Sequence, residues 1–370
     1  MAKTKKKKWT KFRHKVVTNI LYWTLGPIVR LKYHIKIDRF QSKDKRNYLI
    51  LSNHQTAFDQ FFVGISFKKP LYYIASEDLF SNGWVSKLIT YLVAPIPFKK
   101  SAGDVGAVKN CYNVVKEGGS IVLFPEGNRT YSGKTEYIKD SVVGLVKILK
   151  LPIAFHRIEG GYGIQPRWSD VIRKGKMHAY VAKVMEPEEY KNMTDEELFS
   201  CIKEQLFVDE TTITDMYYHK KNAEYLERAM YVCPDCGLSV FESKNDLITC
   251  DKCKKSIKYL PSKKLEGIGF EFPFEYVKDW YDYQCDFIRK TDLNPYQEEP
   301  VYVDKVRFSE VIPYKKKILM GEETLFSVYA DRFTVKIGDQ ELSYPFEEVS
   351  ASTVLGKNKL TFCSLQIHRQ

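Results

Sequence analysis

Along the chain, short continuous apolar runs alternate with longer stretches in which apolar residues recur every three or four positions. Tyr48 to Ser52, Leu71 to Ala75, Pro95 to Phe98, Ser120 to Phe124 and residues 152–158 have the length and character of strands buried on both faces. Between them, 56–67, 84–92, 104–117 and 139–150 carry helical periodicity, and Gly118-Gly119 stops the third of these helices. Strand-like patterns continue over 160–165 and 176–184. This rhythm predicts an α/β domain over residues 38–190, a mixed sheet covered by helices. From about 186 the composition turns acidic, and helical periodicity runs on toward Tyr231, a helical extension over 191–230. An aromatic linker follows over 257–299. From residue 300 the period shortens to alternating strands, with turns at Gly338-Asp339 and Gly356-Lys357, so 300–370 reads as a small all-β domain.

Charge changes the picture at the N-terminus. The formal net charge is +12, and eleven Lys and Arg residues precede the first acidic residue, Asp38. The rest of the 370-residue chain is therefore nearly neutral, behind a basic arm that wants a polyanion. Nucleic acid and anionic lipid are the two classes. Trp9, Phe12 and the uncharged run Val16 to Val29, which includes Tyr22 and Trp23, favour lipid. Residues 1–37 read as a basic arm and a helix lying in the membrane interface, against the plainer reading of a solvated tail and a core helix. A near-neutral body without a broad basic face speaks against nucleic acid. No uncharged apolar run reaches the roughly 18 residues of a spanning helix. The same stretch imitates a signal peptide, but Pro27 and Arg30 stand where a small-x-small cleavage site would. The expectation is an uncleaved, peripheral or monotopic protein on the cytoplasmic face of a membrane.

Four of the eight cysteines form the series Cys233-x2-Cys236 and Cys250-x2-Cys253, thirteen residues apart. Two such pairs supply four soft thiolates for a tetrahedral zinc ion, and a closed four-cysteine site is structural because no position stays open for substrate. Residues 231–256 thus read as a zinc ribbon, with two redox pairs as the alternative. The other four cysteines read as buried thiols.

The candidate chemistry lies at strand ends. Asn53-His54-Gln55-Thr56-Ala57-Phe58-Asp59 follows the first strand. With His54 in the turn before the helix and Asp59 in its second turn, the carboxylate can hold one imidazole nitrogen and leave the other as a base. That is the hydroxyl-activating part of a triad without its own serine, so the hydroxyl belongs to the substrate. A satisfied histidine is the plain alternative for so short a pattern. Phe124-Pro125-Glu126-Gly127-Asn128-Arg129-Thr130 follows the Ser120 strand, at the carboxyl end where open α/β sheets bind ligands. Gly127 admits close backbone approach, and Arg129 offers a planar fork that matches phosphate or pairs with a neighbouring Glu. The aromatic, basic stretch Gly161 to Trp168 reads equally as donor-site lining, membrane contact or ordinary sheet-end packing.

Together, NHQTAFD and FPEGNRT resemble the first and third blocks of the glycerolipid acyltransferase superfamily that includes the 1-acylglycerol-3-phosphate acyltransferases. Ile96-Pro97-Phe98-Lys99-Lys100 stands at the second block and Leu151-Pro152-Ile153-Ala154-Phe155 at the fourth. The resemblance covers about residues 20–190. It implies His54 as general base and Asp59 as its orienting partner. It further implies Glu126, Gly127, Arg129 and Thr130, assisted by Lys99 and Lys100, at the acceptor's phosphate end, with Pro152 shaping the donor site. Thr56 replaces the usual Ser, and Lys replaces the usual Arg of the second block, which keeps the charge and loses the bidentate fork. The implied reaction moves an acyl group from acyl-CoA or acyl-acyl-carrier protein to a 1-acylglycerol-3-phosphate hydroxyl, with no catalytic metal. Glycerol-3-phosphate or another lysolipid is the alternative acceptor, and a non-catalytic lipid- or nucleic-acid-binding zinc-ribbon protein the remaining reading. The strand pattern of the C-terminal domain is similar to pleckstrin-homology-like folds.

Overall fold

In the computed structural model the described residues are 8–42, 44, 46–98, 104–312, 316–356 and 358–364. The apolar runs become strands of one seven-stranded sheet: β1 (Ile35–Ile37), β2 (Leu49–Ser52), β3 (Leu71–Ser76), β4 (Ile96–Phe98), β5 (Ser120–Leu123), β6 (Ile153–Glu159) and β7 (Met177–Met185), in the order β1-β7-β6-β2-β5-β3-β4. β2 is parallel to β5 and β6, and β5 to β3; β7 runs antiparallel to β6, and β1 parallel to β7. The sheet is therefore mixed. Its helices are α1 (Phe12–Tyr33), α2 (Asp59–Phe67), α3 (Trp84–Val93), α4 (Val105–Lys116) and α5 (Ser141–Leu149).

The two-residue period of a strand divides the core. Leu49, Leu51, Ile121, Ile153 and Phe155 face one side, against Val142 and Val146 of α5 and Val114 of α4. Ile50, Val122 and Ala154 face the other, against Val63 and Phe67 of α2. Both faces are covered, which is why the strands are continuously apolar. The N-terminal segment is pinned by Glu117, whose Oε2 accepts the Trp9 and Thr10 N–H groups at 2.9 and 2.8 Å.

Two expected elements differ. Residues 161–164 are not a strand but a helical turn, α6 (Gly161–Ile164), because Gly160 at φ +80° breaks the extended path of β6. Beyond α7 (Pro187–Tyr190) and α8 (Asp195–Leu206) the helical run stops. Asp209 accepts the Thr211 N–H at 2.9 Å and its hydroxyl at 2.7 Å, and this local turn competes with a continued helix.

The cysteine segment contributes β8 (Val232–Cys233), β9 (Gly237–Leu238), β10 (Phe241–Lys244), β11 (Leu247–Cys250), β12 (Ser256–Tyr259) and β13 (Leu265–Gly267), with β10 to β13 in one antiparallel sheet, followed by α9 (Val277–Lys290). Its core joins Cys233, Phe241, Cys250, Ile257, Tyr259 and Trp280 to Trp168 of the α/β domain. By contacts the chain divides into two compact units: Met1–Ile74 with Leu92–Ile96 and Val108–Phe287, and Ala75–Tyr91 with Pro97–Ala107 and Ile288–Gln370.

The second unit holds a four-stranded antiparallel meander, β14 (Tyr302–Ile312), β15 (Lys316–Val328), β16 (Arg332–Ile337) and β17 (Gln340–Pro345), and the hairpin β18 (Val349–Leu355) and β19 (Lys359–Ser364). Phe333 packs on Phe362 and Phe346, with ring centroids 5.4 and 4.7 Å apart. Asp78, from the segment after β3, pairs with Lys317 at 2.9 Å and Lys359 at 3.2 Å.

Candidate active site

The site begins where β2 ends. Asn53 is buried, and its amide brackets the backbone of Ile158 on β6: Nδ2 donates to the carbonyl and Oδ1 accepts the N–H, both at 2.8 Å. His54 is thereby held at the carboxyl edge of the sheet. Its imidazole leans on Phe124, with centroids 4.6 Å apart. Asp59 is fully buried and is the first residue of α2 rather than part of its second turn. The reason is local. Its carboxylate accepts the Gln55 N–H at 2.6 Å, the Thr56 N–H at 3.0 Å and the Thr56 hydroxyl at 2.6 Å, so residues 54–58 wrap around the carboxylate instead of winding into helix. The same carboxylate lies 2.7 Å from His54 Nδ1. A proton on Nδ1 donates there, which leaves Nε2 as the nitrogen placed to act as a base.

The second segment is zipped to the first through the backbone of His54. The His54 N–H donates to Glu126 Oε1 at 2.8 Å, and its carbonyl accepts the Thr130 N–H at 3.3 Å. Burial pushes the Glu126 carboxyl up to about 8, opposed by the N–H groups of His54 and Glu136 and reinforced by the charges of Glu136 and Asp59. Near neutral pH this side chain is mostly a neutral acid, able to donate a hydrogen bond to an anion instead of repelling it. Gly127, at φ +71°, turns the chain with open space where a side chain would stand. Arg129 is half-buried, and among the described residues its guanidinium makes no ion pair. Burial lowers its pKa while the nearby Asp59 charge raises it. Thr130 is buried, and its hydroxyl meets Glu136 at 3.1 Å and the Gly133 N–H at 3.0 Å, so it braces the loop. Lys99 and Lys100 lie outside the described residues.

Four contributions come from residues to which the motifs assigned no role of their own. Asn53 acts as described. Gln55 Oε1 accepts the Tyr162 N–H at 3.2 Å. His156, on β6 beneath the loop, lies 3.2 Å from Ser52 Oγ and 3.1 Å from Ser66 Oγ and is held down to about 3 by burial, a neutral ring tying β2 to α2. Arg167 Nη1 donates to the Arg129 carbonyl at 2.9 Å. Arg167 and Trp168 are both buried, so the Gly161 to Trp168 stretch is packing. Asparagine amides and buried rings carry no spacing signal; only the fold shows what they bridge.

Away from this site, the sulfurs of Cys233, Cys236, Cys250 and Cys253 all lie within 4.8 Å of one another. The N–H groups of Asp235 and Cys236 point at the Cys233 sulfur, and those of Lys252 and Cys253 at the Cys250 sulfur. Two matching knuckles of this kind present four soft donors to one metal ion.

The Acyltransferase family profile matches residues 30–158. Among curated relatives, a 1-acyl-sn-glycerol-3-phosphate acyltransferase of Bacillus subtilis is 21% identical over 160 residues, 43% of this chain and 77% of that protein. A chloroplastic 1-acyl-sn-glycerol-3-phosphate acyltransferase of Brassica napus is 24% identical over 137 residues, 36% of this chain and 39% of the relative. Among solved structures, the 1-acyl-sn-glycerophosphate acyltransferase PlsC of Thermotoga maritima aligns with a TM-score of 0.44 and 22% identity, over 52% of this chain and 78% of that one. The matched span begins near the end of α1, closes with β6, and contains both the His54–Asp59 turn and the Glu126–Arg129 turn.

Proposed function

We propose that the protein is an O-acyltransferase that moves a fatty acyl group from acyl-CoA or acyl-acyl-carrier protein to the free hydroxyl of 1-acylglycerol-3-phosphate, giving phosphatidic acid. The observation that carries the reading is an imidazole with its Nδ1 fixed 2.7 Å from a buried carboxylate, on the same sheet edge as an arginine that makes no ion pair among the described residues. The acceptor phosphate sits on Arg129, with Glu126 donating as a neutral acid. His54 Nε2 takes the hydroxyl proton as the oxygen attacks the thioester carbonyl. The tetrahedral adduct collapses with cleavage of the carbon–sulfur bond, and the imidazolium returns the proton to the leaving thiolate. Asp59 keeps the tautomer and stabilises the transient imidazolium. The four cysteines hold a structural zinc ion that takes no part in these steps.

The acceptor is a lipid, so the enzyme works at the cytoplasmic surface of an anionic membrane. Supporting this, α1 turns one face into the core through Val29 and Tyr33 and exposes Phe12, Val16, Ile20, Trp23 and Leu31 on another, with Trp23 67% and Leu31 76% exposed. Lys8, Lys11, Arg13 and Lys15 flank its start. Among the described residues no helix is long and apolar enough to cross a membrane. In α3, Trp84, Leu88 and Tyr91 are likewise exposed.

The test is acyl transfer by purified protein with anionic vesicles, offering 1-acylglycerol-3-phosphate and glycerol-3-phosphate with each donor, beside His54→Ala. Wild type should form phosphatidic acid, and His54→Ala should be slower by about 10²–10⁴-fold while remaining folded. Equal turnover in the variant would remove His54 from the mechanism. Transfer to glycerol-3-phosphate alone would reassign the acceptor.

A further inference from the structure

We propose that the four-cysteine module is a positioning device for the phosphate loop, with Arg167 and Trp168 as the link. This rests on the reading of Arg129 as the phosphate ligand. Trp168 is fully buried in the core that also contains Cys233, Phe241 and Cys250, and its ring meets Tyr259 edge-on at 5.5 Å. Arg228, four residues before Val232, donates to the Trp168 carbonyl at 3.1 Å. The adjacent residue, Arg167, is 4% exposed. Its guanidinium lies 4.1 Å over the Tyr131 ring and donates to the Arg129 carbonyl at 2.9 Å. A second strut joins the same two parts. Lys134, just beyond the loop, meets Asp282 of α9 at 2.6 Å, and Trp280 of that helix donates to the Val232 carbonyl at 2.8 Å.

The module therefore grips the carboxyl-terminal side of the loop at two points. A buried arginine that donates to a backbone carbonyl acts on where the chain lies, so Arg167 is a positioning residue for Arg129. Besides the two backbone bonds that His54 shares with the loop, the His54–Asp59 pair has supports of its own in Asn53, Gln55 and Thr56. Loss of the metal cross-link loosens the packing around Trp168, frees Arg167 and blurs the position of Arg129, while the base stays in place. Metal state is then read out as acceptor affinity rather than as the rate of chemistry.

Hydrogen exchange and kinetics on the full chain test this, comparing zinc-loaded and chelator-stripped wild type with zinc-loaded Arg167→Ala and Arg167→Lys. Stripping and Arg167→Ala should each speed exchange over residues 124–136 and raise KM for 1-acylglycerol-3-phosphate by about tenfold, the scale of one charge-assisted hydrogen bond, with kcat changed less than about twofold. Arg167→Lys should recover part of the KM. Stripping Arg167→Ala should add little, since both changes act through one link. Unchanged exchange over 124–136 in Arg167→Ala overturns the proposal, even where stripping unfolds the protein. So does a fall in kcat at constant KM, the mark of a merely smaller folded fraction. Absence of acyl transfer in zinc-loaded wild type would instead overturn the underlying enzymatic reading, with the exchange data still deciding the link.

Discussion

Asp59 serves as turn template and as partner of the proposed base: one carboxylate collects two N–H groups, one hydroxyl and His54 Nδ1. The Thr56 hydroxyl is one of those donors, which explains why Thr serves where the family uses Ser. Glu126 gives a pH prediction. Its carboxyl is neutral in the fold until about pH 8. Above that pH it becomes an anion beside the proposed phosphate site, so KM for the acceptor should rise as pH passes through about 8. In Glu126→Gln, which stays neutral, KM should show no such rise between pH 7 and 9. A wild-type KM that is flat over this range would show that Glu126 is already ionised or faces away from the acceptor.

At the scale of elements, α1 is half core and half surface. Gly26, Val29 and Tyr33 pack inward, so deleting the helix would damage the fold, whereas changing its outer stripe should not. Trp23→Ser with Leu31→Ser should reduce binding to vesicles of phosphatidylglycerol and phosphatidylcholine by at least about tenfold, because each side chain contributes roughly 1.5–3 kcal/mol when buried in an apolar phase. High salt should weaken wild-type binding further if the flanking lysines contribute. Sedimentation with vesicles measures both. Undiminished binding by the double variant would move the membrane contact to another surface.

For the whole molecule, the shared core around Trp168 and Trp280 makes the cysteine module part of the larger unit's stability rather than an independent appendage. Removing the metal should therefore lower the melting temperature of that unit by at least about 5 °C, as loss of a structural metal commonly costs several kcal/mol. Calorimetry with metal content assayed in parallel measures it. An unchanged transition after complete removal would favour two redox pairs over a metal site. The second unit has its own aromatic core, and Asp78 between Lys317 and Lys359 ties the segment after β3 into it.

Much of the α/β domain was legible in the residues themselves. Strands buried on both faces must be apolar throughout and helices between them amphipathic, so the runs at 48–52, 71–75 and 120–124 announced their elements to within a residue or two. Two juxtapositions were legible because their members stand at short fixed spacing: His54 with Asp59, and the two cysteine pairs. Local patterns misled where a glycine at positive φ or a side-chain-capped turn overrode them, at 160–165 and after Leu206. What the tertiary structure alone decided was which distant parts meet. That Asn53 is fastened to Ile158, that His156 bridges Ser52 and Ser66, and that Arg167 carries the cysteine module to the Arg129 carbonyl depend on contacts between segments far apart in the chain. Such contacts leave no period or spacing in the sequence, because packing selects their partners only after the chain has folded.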